Sequence, residues 1–200
     1  MALSKHITKK FKNSFEIECI KLLVNAYTII ISKKTYRLDW LENDFSELLR
    51  KYVNDAQSKI TCRSENKILS DTENLSKGFA DKLPRNDIVF SKYHWSYGRF
   101  EIFIEAKRLK ENDYDLKYNY IKEGIGRFVS KKYPFLDYML GYLLEGNVEK
   151  TIIRINSLLE KDKRNSEILN QKPNNLHENY YESEHKRGVL KHLIFDFTKL

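Results

Sequence analysis

Apolar and polar positions along the chain repeat with two periods, one helical and one extended. Between residues 40 and 57, Leu41, Phe45, Leu48, Leu49, Tyr52, Val53 and Ala56 recur at helical spacing, which gives a helix one apolar face. Asp39 suits its N-cap, with Glu42 three positions later in a capping-box arrangement. Val148 to Asp162 is a second amphipathic helix, with Ile152, Ile155, Leu158 and Leu159 on one side. Residues 14 to 31 also read as helix, although Ile29, Ile30 and Ile31 would suit a strand. Tyr118 to Lys132 is helical in character despite Gly124 and Gly126, and Pro134 follows its end.

Extended segments lie between these helices. Asp87 to Phe90 reads as a short strand, and Arg99 to Ala106 as another with an apolar centre at Ile102, Phe103 and Ile104. Ser91 to Gly98 supplies turn chemistry between them, so the pair forms an antiparallel hairpin. Lys59 to Leu69, with a polar interruption, Tyr138 to Leu144 and His192 to Phe197 complete the strands. Ser70 to Lys82 and Lys163 to Glu184 read as loops. No internal repeat or linker divides the chain. The order of elements predicts a single α/β domain, a mixed β-sheet flanked by helices.

Composition narrows the function classes. The chain has 200 residues, 36 basic against 28 acidic, and a formal net charge of +8. That excess suits a polyanion partner. Residues 1 to 40 carry eight Lys/Arg against three acids, so this stretch holds much of the excess. It reads either as a solvated basic helix face or as a nucleic-acid contact. Seven Gly and three Pro exclude collagen-like and low-complexity chains. Two cysteines, Cys19 and Cys62, are too few for a disulfide scaffold or a Cys-rich zinc fold, and imply reduced thiols in the cytoplasm. No uncharged stretch reaches the roughly 18 residues of a membrane span, and no cleavable leader is read.

Candidate chemistry concentrates between Leu83 and Lys107. Asp87 and Glu105 are equidistant from position 96, inside the turn, so an antiparallel register sets them side by side at the hairpin's open end. Alternation along the strand points Glu105 and Lys107 to one face. Two adjacent carboxylates repel unless protonated or bound to a cation. A hard divalent ion such as Mg²⁺ meets that need with oxygen ligands. A lysine beside it adds positive charge where phosphate or hydroxide would sit. Together these are the minimum equipment for metal-assisted phosphodiester hydrolysis. His94 sits in the hairpin turn, far from the open end; His177, His185 and His192 lack zinc-ligand spacing with any Cys, and Ser183 with His185 lacks a third partner for a nucleophilic triad.

An Asp on one strand followed by Glu-x-Lys ending the next resembles the PD-(D/E)xK nuclease superfamily, the restriction-endonuclease-like fold. The resemblance covers Trp40 to about Gly146. Position 86 is Asn where that family usually has Pro, and the nearest proline is Pro84. The resemblance implies that Asp87, Glu105 and the Ala106 carbonyl hold Mg²⁺, with Mn²⁺ as a substitute, and that Lys107 orients or activates the attacking water. It also implies an acid from an N-terminal helix. At about 100° per residue, Glu42 lies about 60° from the apolar centre of its helix while Glu47 is nearly opposite. Glu42 therefore has two readings, as a fourth catalytic residue or as a capping residue. Arg127 and Lys122 are the expected substrate contacts. The run Tyr118–Gly126–Arg127–Phe128, then Tyr133, then Met139–Gly141–Tyr142, is similar to small bacterial and phage-defence members of the superfamily.

The expectation is thus a Mg²⁺-dependent endodeoxyribonuclease. Residues 1–38 would form a basic helical extension, 39–146 the nuclease core, and 147–200 a C-terminal addition. The alternative is an inactive nuclease-fold module that binds nucleic acid or a partner protein. DNA is the expected partner, though the residues do not separate it from RNA. Cutting both strands of a duplex would be easiest for a homodimer.

Overall fold

The computed structural model of the protein describes residues 2–67, 85–130 and 136–199. Two helices open the chain, α1 (Ala2–Lys33) and α2 (Glu42–Asp55). Three strands follow, β1 (Thr61–Lys67), β2 (Arg85–His94) and β3 (Gly98–Lys110). A broken helix comes next: α3 (Tyr114–Asn119), a π-helical stretch (Tyr120–Ile125) and α4 (Gly126–Val129). Then come β4 (Tyr138–Glu145), α5 (Val148–Lys161), a short 3₁₀ turn (Asn165–Glu167), β5 (Asn170–Gln171), β6 (Tyr180–His185) and β7 (Gly188–Asp196).

All seven strands share one mixed sheet in the order β1-β2-β3-β4-β7-β6-β5. The central pairs β3–β4 and β4–β7 are parallel, and the flanking pairs are antiparallel. Parallel neighbours need crossovers, supplied here by the broken helix before β4 and by α5 after it. The central strand is accordingly apolar on both faces. Tyr138, Leu140, Tyr142 and Leu144 of β4 pack into the core under α1 and α2. Met139 and Leu143 pack into a second core with Ile121 and Ile125 of the π stretch and Ile152, Ile155 and Leu159 of α5. The protein is therefore an α/β structure with helices on both faces of a mixed sheet.

α1 is helical through Ile29, Ile30 and Ile31, and it does not stand apart from the sheet. Phe15, Cys19, Leu23, Ala26 and Ile30 recur every three or four residues and are buried in the first core. Hence the segment expected as an extension covers one face of the sheet. Cys19 and Cys62 are buried free thiols. Burial pushes both up, Cys62 to about 12.

Three readings change. Asp39 does not cap α2: it pairs with Arg37 at 2.8 Å, and the N-cap is Leu41. The Asp44 carboxylate returns to the Leu41 N–H at 2.8 Å, the role expected of Glu42. The hairpin turn is shorter than Ser91–Gly98, because β2 runs on to His94 and β3 starts at Gly98. Lys163–Glu184 is not all loop, since β6 pairs with β7 through it and β5 adds an edge. A polar composition hid strands whose partner lies later in the chain. The loop expected at Ser70–Lys82 lies outside the described residues, as do Lys131 to Phe135. No described helix is long and apolar enough to cross a membrane.

Candidate active site

The β2–β3 hairpin pairs Ile88 with Ile104, Val89 with Phe103 and so on to His94 with Gly98. One step outward, that register brings Asp87 and Glu105 together. Asp87 Oδ2 accepts the Ala106 N–H at 2.6 Å, which ties the first acid to the strand of the second. The Glu105 side chain is only 1% exposed. Two residues on, the Lys107 ammonium sits 2.9 Å from Glu105 Oε1 and 3.9 Å from Asp87 Oδ2. It also donates to the Ala106 carbonyl at 2.6 Å.

Glu42 completes the cluster. Because Asp44 does the capping, the Glu42 side chain is free to turn to the sheet. Its Oε1 accepts from Lys107 Nζ at 2.8 Å and its Oε2 from the Arg108 N–H at 3.2 Å. As the first helical residue of α2 it also places negative charge at a helix N-terminus, which is favourable. Glu47 instead bonds Arg50 and the Ser64 hydroxyl.

The π-helical stretch closes the other side. A wide turn of this kind costs hydrogen-bond geometry and re-aims the side chains beyond it. Gly124 lies against β4, where an added Cβ would collide with the Met139 methyl. That close approach carries Arg127 to Glu105, and the two form an ion pair. Glu123, one turn earlier, holds the same guanidinium at 3.3 Å. Glu123 escaped the sequence reading, although its i,i+4 spacing from Arg127 was legible. Lys122 is not brought into the cluster: it is exposed, with its ammonium over the Tyr118 ring at 5.8 Å.

Burial sets the electrostatics. It pushes Asp87 up to about 7, with the Glu105 charge adding and Lys107 opposing. Burial also raises Glu105, against the pull of Lys107 and Arg127. For Lys107 burial disfavours the charge, but Glu105, Asp87 and Glu42 outweigh it and hold the ammonium well above the ordinary lysine range. Glu105 Oε2 is buried without a hydrogen-bond partner. A bare carboxylate oxygen beside a second carboxylate fits a divalent cation. Among the described residues no group of three or more His, Cys, Asp or Glu is placed to hold one metal ion, Glu42 being taken up by Lys107 and the Arg108 N–H. The two carboxylates would therefore leave most of an octahedral ion's positions to water and phosphate, as Mg²⁺ prefers.

The cluster opens on two clefts beside the N-terminus of α2. One, of about 400 Å³, is lined by Glu42, Lys107, Arg108, Asn119, Glu123 and Arg127 among others. The other, of about 310 Å³, reaches Asp87 past Asn43, Ser46 and Ser64.

Away from this site, a buried chain of polar groups links the π stretch to β6 and β7. Tyr120 Oη is 2.8 Å from His192 Nδ1, and His192 Nε2 is 2.7 Å from Ser183 Oγ. Ser183 Oγ is also 2.7 Å from His185 Nε2, and His185 Nδ1 is 3.0 Å from Glu167 Oε2. Ser183 is fully buried, which keeps it from any substrate. His177 bonds the Ile194 carbonyl at 2.8 Å.

Compared with protein-family models, curated proteins and solved structures, the chain matches none.

Proposed function

We propose that this protein is a Mg²⁺-dependent nuclease of restriction-endonuclease-like fold that hydrolyses DNA phosphodiester bonds. The observation that carries the proposal is the meeting of Asp87, Glu105, Lys107 and Glu42 at one end of the hairpin, with Glu105 Oε2 buried and unpartnered. Asp87 and Glu105 would hold the metal, and Mn²⁺ would fit the same oxygens. The Ala106 carbonyl accepts from Lys107 and keeps a second lone pair with which it would join them. When bound, the ion supplies Lewis-acid polarisation of the phosphate and a more acidic water.

The chain's own residues do the rest. Glu105, Asp87 and Glu42 favour the charged form of Lys107, and that ammonium would stabilise negative charge on the phosphoryl oxygens and orient the attacking water. Glu42 orients that ammonium. Arg127 faces the cleft with a planar fork suited to a phosphate, and Arg108 lines the same wall. Together these cations draw the backbone of a nucleic acid to a site whose floor is acidic.

One observation favours a second reading, an inactive module that binds nucleic acid or a partner protein. Lys107 and Arg127 both contact Glu105, so two cations already neutralise it. Cleavage of plasmid and linear DNA with Mg²⁺ tests the first reading, beside Glu105→Ala and Lys107→Ala, with an RNA strand in parallel. Loss of cleavage in both variants is expected. Equal activity in the variants removes this site. DNA binding with no heat of Mg²⁺ binding supports the module.

A further inference from the structure

Two cations meet Glu105, and they are held differently. Lys107 also bonds Glu42 and the Ala106 carbonyl, and its side chain is 12% exposed. Arg127 reaches Glu105 from the rim. Its Nη1 pairs with Glu105 Oε1, while its Nη2 lies 3.3 Å from Glu123 Oε2. The Glu105 side chain is 1% exposed and that of Glu123 43%, so one guanidinium bridges the floor of the site and its solvent edge.

Glu123 and Arg127 stand one turn apart on the same segment, and both line the cleft of about 400 Å³ with Lys107 and Arg108. Glu123 thus offers the guanidinium a second carboxylate inside the cleft, within reach of side-chain rotation alone. An exposed pair at this spacing contributes only about 0.3–0.5 kcal/mol. Contact with a buried carboxylate is stronger, because less water screens it. In the empty site Arg127 is therefore held mainly by Glu105.

A divalent cation on Asp87 and Glu105 reverses that preference. Its charge would stand close to the guanidinium in a weakly screened place, where like charges repel. Glu105, neutralised by the cation, attracts Arg127 less, while Glu123 keeps its charge.

We propose that Arg127 is a latch on the metal site. It rests on Glu105 until a divalent cation takes that carboxylate, and then turns to Glu123, which positions its fork for a phosphate in the cleft. The inference rests on the metal-site reading given above. It makes Glu123 a positioning residue, and it reconciles a neutralised Glu105 with a working metal site: the charge that closes the site when empty meets the phosphate when the site is loaded. Linkage is reciprocal, so a phosphate that draws Arg127 off Glu105 also tightens the metal.

Calorimetric titration with Mg²⁺, with no nucleic acid present, tests the latch apart from cleavage. Arg127→Gln should bind Mg²⁺ about ten-fold more tightly than the parent, because a competing charge is gone. Arg127→Lys keeps the charge and should fall back towards the parent value, which separates charge from packing. Glu123→Gln should weaken Mg²⁺ binding about three-fold in the parent and leave it unchanged in Arg127→Gln, where there is no guanidinium to hold. Equal Mg²⁺ affinity in the parent and Arg127→Gln, with an unchanged circular dichroism spectrum, overturns the latch and leaves the metal site standing. A Glu123→Gln effect of the same size in both backgrounds also overturns it, since that is the field of one acid and not a handover. No heat of Mg²⁺ binding in either protein overturns the latch and the metal site together.

Discussion

Lys107 Nζ donates to Glu42 Oε1 at 2.8 Å, joining two residues 65 positions apart in the chain. The contact docks the N-terminus of α2 onto the end of β3. It also sets three carboxylates around one ammonium, and that arrangement governs the response to substitution.

Lys107→Met should destabilise the protein. It leaves Glu42, Asp87 and Glu105 without their shared cation in a largely buried place. Removing one partner of a buried pair costs about 3–5 kcal/mol. Chemical denaturation should show that loss, and Mg²⁺ should restore part of it by replacing the missing charge. Glu42→Gln, which removes one of three acids, should cost far less.

Asp87 titrates in the opposite sense to a surface acid. Its folded value is raised to about 7 by burial and by Glu105. The folded protein therefore binds a proton that the unfolded chain has released, and stability from this group is lost as pH rises from about 4 through 7. In chelator at pH 8, Asp87→Asn should be more stable than the parent. With 10 mM Mg²⁺ the gap should narrow, because the parent gains about 2.7 kcal/mol for a Kd of about 0.1 mM while the variant gains little. Paired thermal melts with and without the ion check both halves.

Gly124→Ala should unsettle the site without altering any charged residue. The new methyl meets the Met139 methyl and lies near Lys107. Overpacking of this kind costs about 1–3 kcal/mol. Met139→Ala in the same chain should recover part of the melting temperature by emptying the contested space. Failure of that rescue would mean that the π stretch does not rest on Met139.

His192 makes the protein acid-sensitive. Burial lowers it to about 3, with the neighbouring His185 adding to the effect. Its folded value is depressed, so its contribution is complete above about pH 6.5 and is lost as pH falls towards 3. The full effect is about 5 kcal/mol. Urea unfolding from pH 7 to 4 should show stability declining, and His192→Gln should flatten that slope while lowering stability at pH 7. An equal slope in the variant would assign the acid sensitivity elsewhere.

By itself the sequence determined those features whose causes are local or symmetric. The stripe of Phe45, Leu49 and Val53 makes α2, and Val148, Ile152, Ile155 and Leu159 make α5, because helical spacing needs no distant partner. The opposition of Asp87 and Glu105 comes from counting outward from position 96, because an antiparallel hairpin is symmetric about its turn. Tertiary structure decided the rest. Asp39 went to Arg37 and Asp44 took over the cap, so Glu42 could reach Lys107. The π stretch and the missing Cβ of Gly124 brought Arg127 to Glu105. Polar β6 became a strand because β7 pairs with it, and Ser183 and His192 meet through that pairing. Each of these depends on a group far away in the chain, whose position no local pattern of apolar residues records.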